Sequence, residues 1–255
     1  MKTKIILPFY NVEKWIKTTF NSIISQTYKN FEVYFLDDCS TDNSFKILSK
    51  LTANLDNINI ISNKTRIGSV ANLWKNMPLI SQDLNDVIII IDGDDWFFDS
   101  HVVKKVVDKH LEGWEFTHSK FVEYPNMLVV DEGGYSIEVK EKCSFRQDNW
   151  RCSGLRTFRR RLWNNIELKD IQNSEEEFYM YAGDQAYTYP LLEAAGDKIY
   201  RFNEIFHVYN RQNPINDDKV SRESQIRDEI KIRKINIKKY NFIIKNNNIK
   251  FEKLL

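Results

Sequence analysis

Cysteine is scarce: Cys39, Cys143 and Cys152 are the three in a chain of 255 residues. Their number and spacing suit neither a disulfide framework nor a zinc site, and they read as reduced thiols in a cytosolic compartment. Long hydrophobic runs are missing, so no segment approaches the length of a membrane span. The stretch Ile5-Ile6-Leu7 is too short for a secretory leader and meets Pro8, so none is expected. An excess of one charge is missing too. The formal net charge is +1, which steers the whole molecule toward neither nucleic acid nor acidic partners. No internal repeat is visible, which argues against a solenoid or a propeller.

What is present is the composition of a globular chain, 42% hydrophobic and 13% aromatic, long enough for one large domain or one and a half. Its charge is unevenly spread: from Lys219 onward there are eleven Lys and Arg against four Asp and Glu, which leaves residues 1–218 net acidic. The expected division is a main domain over 1–218, with halves at 1–112 and 113–218, followed by a basic, partly helical tail over 219–255.

The strongest local signal lies at Asp86-Val87-Ile88-Ile89-Ile90-Ile91-Asp92-Gly93-Asp94-Asp95. Five consecutive β-branched aliphatics predict a strand over 87–92, buried on both faces as in the middle of a parallel sheet. The run stops at three carboxylates that repel one another unless something positive sits there. In open α/β sheets the carboxyl end of a strand is also where ligands bind. Asp92 and Asp94, two apart on an extended chain, point to one side and can grip a hard divalent cation. Gly93 between them lets a ligand approach the backbone. The competing reading is an acidic turn that caps the next helix through Asp95 or Asp99.

The same rhythm runs through the first half. Strands are predicted at 4–7, 31–36 and 58–61, with helices at about 12–26, from Thr41 or Asp42, at 69–77 and at about 100–110. Pro8 is expected to end strand pairing and Asn11 to cap the first helix. Strands that alternate with helices in this way make a parallel sheet with right-handed crossovers, which gathers carboxylates from several strand ends on one edge. After Gly113 a mixed or antiparallel sheet is expected: strands at 116–123 and 127–130, a turn at Glu132-Gly133-Gly134-Tyr135, a strand at 136–141 and another at 199–209. Arg159, Arg160 and Arg161 read as a solvated face, and 165–178 as a surface loop. A helix starts near Gly183-Asp184 and stops at Gly196, with Pro190 in its first turn.

With both halves laid out, the chain resembles the family 2 glycosyltransferases, which have the GT-A fold. The matching residues are Leu7-Pro8-Phe9-Tyr10-Asn11, Leu36-Asp37-Asp38-Cys39-Ser40-Thr41-Asp42, Ile91-Asp92-Gly93-Asp94-Asp95 and Gly183-Asp184. A narrower likeness to one branch of the family covers Arg66-Ile67-Gly68, Leu155-Arg156-Thr157-Phe158, Pro190-Leu191-Leu192-Glu193 and the segment from Tyr209 to Asp217.

The resemblance implies transfer of a sugar, with inversion, from a nucleotide-sugar donor, most often a UDP-sugar, to a glycan, lipid-linked or protein acceptor. Asp38 would meet the base, Asp37 would support its turn, and Pro8, Phe9, Tyr10 and Asn11 would form the nucleoside pocket. Asp92 would sit near the ribose and share with Asp94 the Mn²⁺ or Mg²⁺ on the diphosphate; Arg156 would pair with phosphate or an acceptor carboxylate, and His207 would help bind the diphosphate or the metal. Asp184 would be the general base. The chain departs from the family in three places. Ala71-Asn72 stands where an Arg-Asn pair is common, and Arg66 would supply the missing cation. Gly183 stands where Glu is common, and Gly154 where the branch often has His.

The chemistry agrees with these residue types. A nucleoside diphosphate leaves with new negative charge, which a divalent ion held by one or two carboxylates and the phosphates stabilises. The attacking hydroxyl needs a carboxylate to take its proton. As alternatives, a lone His on a strand is commonly structural, Asp184 can be a helix cap, and Trp96, Trp150 and Trp163, which could stack on sugar rings, are by default core residues. A nucleotidyltransferase would carry a Gly-rich, Lys- or Arg-bearing loop after the first strand, which Pro8-Phe9-Tyr10-Asn11 is not. A non-catalytic nucleotide-sugar binder should have lost the base. No motif for reading nucleic acid accompanies the basic tail, whose isoleucines suit a peripheral membrane contact over 220–245 instead.

Overall fold

The computed structural model describes residues 1–235, 240–245 and 248–253. The first half runs β1 (Thr3–Phe9), α1 (Ile16–Ile24), β2 (Phe31–Asp37), α2 (Ser44–Thr52), β3 (Ile58–Ser62), α3 (Ser69–Ile80), β4 (Val87–Ile90), β5 (Trp96–Phe97) and α4 (Val102–Leu111). Then follow β6 (Phe116–Tyr124), β7 (Leu128–Val130), α5 (Ile137–Lys142), β8 (Arg156–Arg159), α6 (Arg160–Trp163), α7 (Leu168–Ile171), α8 (Gly183–Ala195), β9 (Ile199–Asn210), α9 (Asp217–Arg233), β10 (Tyr240–Lys245) and β11 (Asn248–Lys253).

One mixed sheet organises the molecule, in the order β3-β2-β1-β4-β8-β6-β9-β5 with β7 also on β6. β1 to β4 pair in parallel, as expected from their alternation with helices, and β8 joins β4 antiparallel. The aliphatic run of β4 is continuous because both faces are covered. Ile88 and Ile90 face the core under α3 and α8, whereas Val87 and Ile89 face the core under α1 and α4. β1 alternates in the same way, with Ile6 on the first side and Ile5 and Leu7 on the second.

Several local expectations are corrected. Pro8 does not end β1: it stays in register with Leu36, and its carbonyl accepts the Gly93 N–H at 3.0 Å. Proline removes a donor, not an acceptor, so the strand continues on its carbonyl. Asn11 does not cap α1, which begins at Ile16 after Trp15. It adopts a left-handed conformation (φ 51°), and its Oδ1 accepts the Thr41 and Asp42 N–H groups at 2.8 and 3.3 Å. It thereby ties the β1 loop to the β2 loop.

The segment expected as a strand at 136–141 is helix α5, capped by Ser136, whose Oγ accepts the Val139 N–H at 3.2 Å. Within 165–178 lies the short α7, with Asp170 and Ile171 fully buried. Pro190 sits inside α8, not in its first turn. Arg159, Arg160 and Arg161 are buried at the amino end of β4. There Arg161 grips Glu115, Arg160 Nε donates to the Ser81 carbonyl at 3.0 Å, and Arg159 Nη1 donates to the Asn85 carbonyl at 2.6 Å. Three adjacent arginines read as a solvated face only until their carbonyl and carboxylate partners from distant segments are known.

Helix α9 bends at Ser221, where the backbone leaves helical values, and packs back on the body. Arg146 forms an ion pair with Glu193 of α8 whose side chains are wholly buried, and donates to the Ile232 carbonyl at 2.8 Å. Arg233 donates in turn to the Asp148 carbonyl at 2.7 Å. Beyond it the chain pairs β10 with β11 as an antiparallel hairpin. Of the isoleucine stripe expected in the tail, Ile226 and Ile230 are exposed, and Ile237 lies outside the described residues. Among the described residues no helix is long and apolar enough to cross a membrane.

Candidate active site

A cleft of about 590 Å³ opens at the carboxyl ends of β1, β2 and β4 and reaches across to α8 and α9, within the size range of small-molecule sites. Pro8, Phe9 and Tyr10 line it from the end of β1, Asp38 from the end of β2 and Arg66 from the loop after β3. Asp92, Gly93 and Asp94 come from the end of β4, and Arg156, Asp184 and His207 from the second half. Asn11 is the one candidate residue outside the lining, held in the loop contacts described above.

On the β2 side the buried Asp38 holds the loop that follows β3. Its Oδ1 accepts from the Ile67 N–H at 2.9 Å and Asn63 Nδ2 at 3.2 Å, and its Oδ2 accepts from the Gly68 N–H at 2.8 Å. A carboxylate has about four lone-pair sites, so one direction stays open. Asp37 fixes the turn beneath by accepting from the Ser40 N–H and Ser62 Oγ. The Arg66 guanidinium lies over the Tyr10 ring, 4.1 Å from its centroid, and 3.9 Å from Asp38. Asn72 is buried beneath β2, where it donates to the Leu36 carbonyl.

Gly93 answers first to β1, because a Cβ there would stand 2.3 Å from Phe9 Cβ. Thr19 Oγ1 donates to the Gly93 carbonyl at 3.0 Å and pins this turn from α1. Around it the three carboxylates separate by role. Asp94 Oδ2 accepts from Asn213 Nδ2 at 2.7 Å. Asp95, almost wholly buried, meets His207 Nε2 at 2.7 Å and accepts the Asn210 N–H at 2.8 Å. Asp99, not Asp95, serves the turn before α4, accepting the His101 N–H at 2.7 Å.

Asp92 reaches solvent inside the cleft but is ringed by protein. Loss of water pushes its carboxyl above the usual range, while Arg156 and His207 pull the other way. Burial and the neighbouring carboxylates raise Asp94 and Asp95 well above theirs. Burial, then the Arg156 charge, pushes His207 down to about 4. A neutral His207 donates Nε2–H to Asp95, which leaves Nδ1 as a lone pair, and that atom is buried with no protein partner. A histidine oriented by a carboxylate with its other nitrogen free is the usual arrangement of a metal ligand.

Among the described residues no three His, Cys, Asp or Glu side chains are gathered into a metal cage. Mn²⁺ and Mg²⁺ on a diphosphate need only one or two carboxylates. The crowded carboxylates of Asp92 and Asp94, raised by burial, fit such an ion.

Asp184 stands in the first turn of α8, where a carboxylate is favoured by the helix dipole. It is not the N-cap, which is Ala182. One oxygen accepts the Gln185 N–H at 2.9 Å; the other meets Arg156 Nη1 at 3.1 Å, and the side chain is 39% exposed. Arg156 also donates to the Cys152 carbonyl at 2.7 Å. The two glycine departures have a steric cause. A Cβ at Gly183 would stand 2.3 Å from Val70 Cγ2 on α3, and one at Gly154 would stand 2.1 Å from the Ser119 carbonyl oxygen.

Other participants escaped the sequence reading. Asn210 and Asn213 serve the acid cluster from 115 and 119 residues away; the motif from Tyr209 to Asp217 contained them but assigned them no task. Trp163 is core, stacked on Phe158, whereas the half-buried Trp150 lines the cleft.

A parallel half-sheet with an acidic carboxyl edge, extended by strands of mixed orientation and by a helix that carries a further carboxylate, defines a GT-A architecture. The family model for glycosyl transferase family 2 matches residues 4–165, and the chain belongs to that family. It is 35% identical over 136 residues to EpsE of Bacillus subtilis, spanning 52% of this chain and 45% of EpsE. It is 34% identical over 162 residues to the glycosyltransferase GlyA of Streptococcus pneumoniae, spanning 62% of this chain and 23% of GlyA. The chain thus spans less than half the length of these relatives. The crystal structure of TarS 1–349 from Staphylococcus aureus superposes with a TM-score of 0.64 at 20% identity, over 82% of this chain and 60% of that one. The mannosyltransferase PcManGT from Pyrobaculum calidifontis, solved with GDP-Man and Mn²⁺, gives a TM-score of 0.54 at 16% identity, over 84% and 58% of the two chains. These two likenesses concern the fold.

Proposed function

We propose that this protein transfers a sugar from a UDP-sugar to an acceptor hydroxyl with inversion, assisted by Mn²⁺ or Mg²⁺, with Asp184 as general base. The observation that carries this reading is the convergence of Asp38, Asp92, Asp94 and Asp184 on one cleft from three separate segments. A UDP-sugar is favoured because a fold neighbour, TarS, was solved with UDP-GlcNAc; a divalent ion is favoured by the unbalanced acid cluster and by the Mn²⁺ of PcManGT.

In this reading the stacked Tyr10 and Arg66 together form one wall for the base, and the remaining lone-pair direction of Asp38 receives its N–H. A divalent ion held by Asp92 and Asp94 would neutralise charge on the leaving diphosphate. Arg156 holds the Asp184 carboxylate in place, and its buried Nε lacks a protein partner, which suits a phosphate oxygen. Asp184 takes the acceptor proton as the acceptor oxygen attacks the anomeric carbon from the face opposite the diphosphate. The bond from that carbon to the phosphate oxygen breaks, and its electron pair leaves with UDP. General-base catalysis of this kind contributes about 10²–10⁴ in rate.

One variant tests the assignment. Asp184→Asn keeps size and one helix-facing oxygen but removes the proton acceptor. UDP–Mn²⁺ affinity by calorimetry should stay within about two-fold, while turnover at saturating donor falls by about two to four decades. Unchanged turnover would place the base elsewhere; loss of both affinity and thermal stability would make Asp184 structural.

The outward face of α9 supports a weak peripheral contact with an anionic membrane. Ile226 and Ile230 are exposed there beside the exposed Arg227, Lys231 and Lys234. Co-sedimentation with phosphatidylserine vesicles that Ile226→Ser and Ile230→Ser leave unchanged would remove this contact.

A further inference from the structure

The donor chemistry leaves one end of the cleft unused. Helix α9 departs from the loop carrying Asn213, beside Asp94, and arrives at Arg146 and Asp148, so it spans the cleft from the acid cluster to α8. Arg222, Gln225 and Glu229, at helical spacing on one side, line the cleft. They are already ordered: Arg222 Nη1 donates to Gln225 Oε1 at 2.6 Å, and Arg233 Nε donates to Glu229 Oε1 at 2.9 Å. Trp150 lines the same cleft, its indole braced edge-on against the Tyr189 ring at 5.4 Å.

Next to Asp184, Gln185 also lines the cleft. The residue is 7% exposed, and its Oε1 has no hydrogen-bond partner in the protein. A buried acceptor left in this state calls for a donor from a ligand. An aromatic face, an orphaned acceptor beside the base and a row of planar polar groups whose charges offset one another suit a neutral ligand. That ligand has one apolar face and many hydroxyls.

We propose that this end is an acceptor subsite for a saccharide, resting on the reading of Asp184 as the base. A pyranose ring lays its C–H face on Trp150, gives a hydroxyl proton to Gln185 Oε1 and meets the α9 row with its other hydroxyls. Its attacking hydroxyl then stands at Asp184. The tail helix is, in this assignment, part of the substrate site.

The test uses the full chain with UDP and Mn²⁺. Binding of a panel of methyl pyranosides and disaccharides is followed by saturation-transfer NMR, and UDP–Mn²⁺ affinity by calorimetry. At least one saccharide should bind the wild type. Its dissociation constant should rise ten-fold or more in Trp150→Ala and Gln185→Leu, stay near wild type in Trp150→Phe, and UDP–Mn²⁺ affinity should stay within two-fold throughout. Where Trp150→Ala loses UDP affinity through misfolding, Gln185→Leu and Arg222→Ala carry the comparison. Saccharide binding unaffected by these changes overturns the subsite, as does a wild type that binds UDP but no saccharide of the panel, or that binds a serine peptide instead. Saccharide binding that depends on Trp150 without any UDP binding keeps the subsite and overturns the donor reading; binding of neither overturns both.

Discussion

The two ends of β4 treat buried charge in opposite ways. At the amino end, Arg159, Arg160 and Arg161 lie buried among carbonyls and the Glu115 carboxylate, and Asp86 accepts from the Lys2 N–H and Ser81 Oγ. Most charges and polar groups there are matched within the chain, Arg159 Nε excepted. At the carboxyl end, Asp92, Asp94 and Asp95 crowd together; Asn210, Asn213 and His207 bond to Asp94 and Asp95 and the Arg156 charge acts on Asp92 and Asp95, yet burial and mutual repulsion raise Asp94 and Asp95. One strand thus separates a closed electrostatic structure from an open one. Matched buried charge is an expression of stability and specificity, whereas unmatched charge in a cleft points to a ligand that completes it.

Substitutions at the two ends should therefore have opposite consequences. Asp94→Asn keeps an oxygen for Asn213 but loses the charge. Mn²⁺-dependent UDP affinity should fall by more than about 100-fold, beyond the 10–100-fold typical of an outer-shell metal partner, while the melting temperature without metal does not fall. A lower melting temperature would mean that the carboxyl end is closed after all. At the amino end Glu115→Ala strands Arg161 in the interior. It should destabilise by about 3–5 kcal/mol, the range for breaking a buried pair, read by urea unfolding, with UDP affinity intact in the folded fraction. A loss below 1 kcal/mol would show that water reaches and satisfies Arg161.

The smallest effect is a slope. Burial pushes His110 down to about 3 and His118 down to about 4, against about 6.5 in an unfolded chain. Both are neutral in the native state, so the unfolded chain binds more protons below pH 6.5. Their contribution is complete above that pH and is lost as pH falls toward 4 and then 3. His110 is held by the Trp114 carbonyl and Thr157 Oγ1 at 2.8 Å each. His110→Gln should flatten stability between pH 6 and 4 by about 1.4 kcal/mol per pH unit, the weight of one proton. An unchanged slope would assign the acid sensitivity to other groups.

By itself the sequence determined what depends on short windows: the β-branched run of β4, the strand-helix alternation of the first half, and the acidic strand ends whose motif carries the family likeness. Alternation and turn chemistry act between near neighbours, so they are legible without coordinates. In the second half, 136–141 reads as a strand but forms α5, because the Ser136 cap outweighed a short β pattern. Only the tertiary structure decided which charges are matched. Arg161 finds Glu115 from 46 residues away, His207 finds Asp95 from 112, and Arg156 finds Asp184 from 28. Contact with Phe9 and Val70 explains why Gly93 and Gly183 have no side chain. The same packing brought the tail helix α9, held through Arg146 of the buried pair with Glu193, across the cleft as its wall. Charge neutralisation and close packing act through space between segments far apart in the chain, and no local pattern records which segments will meet.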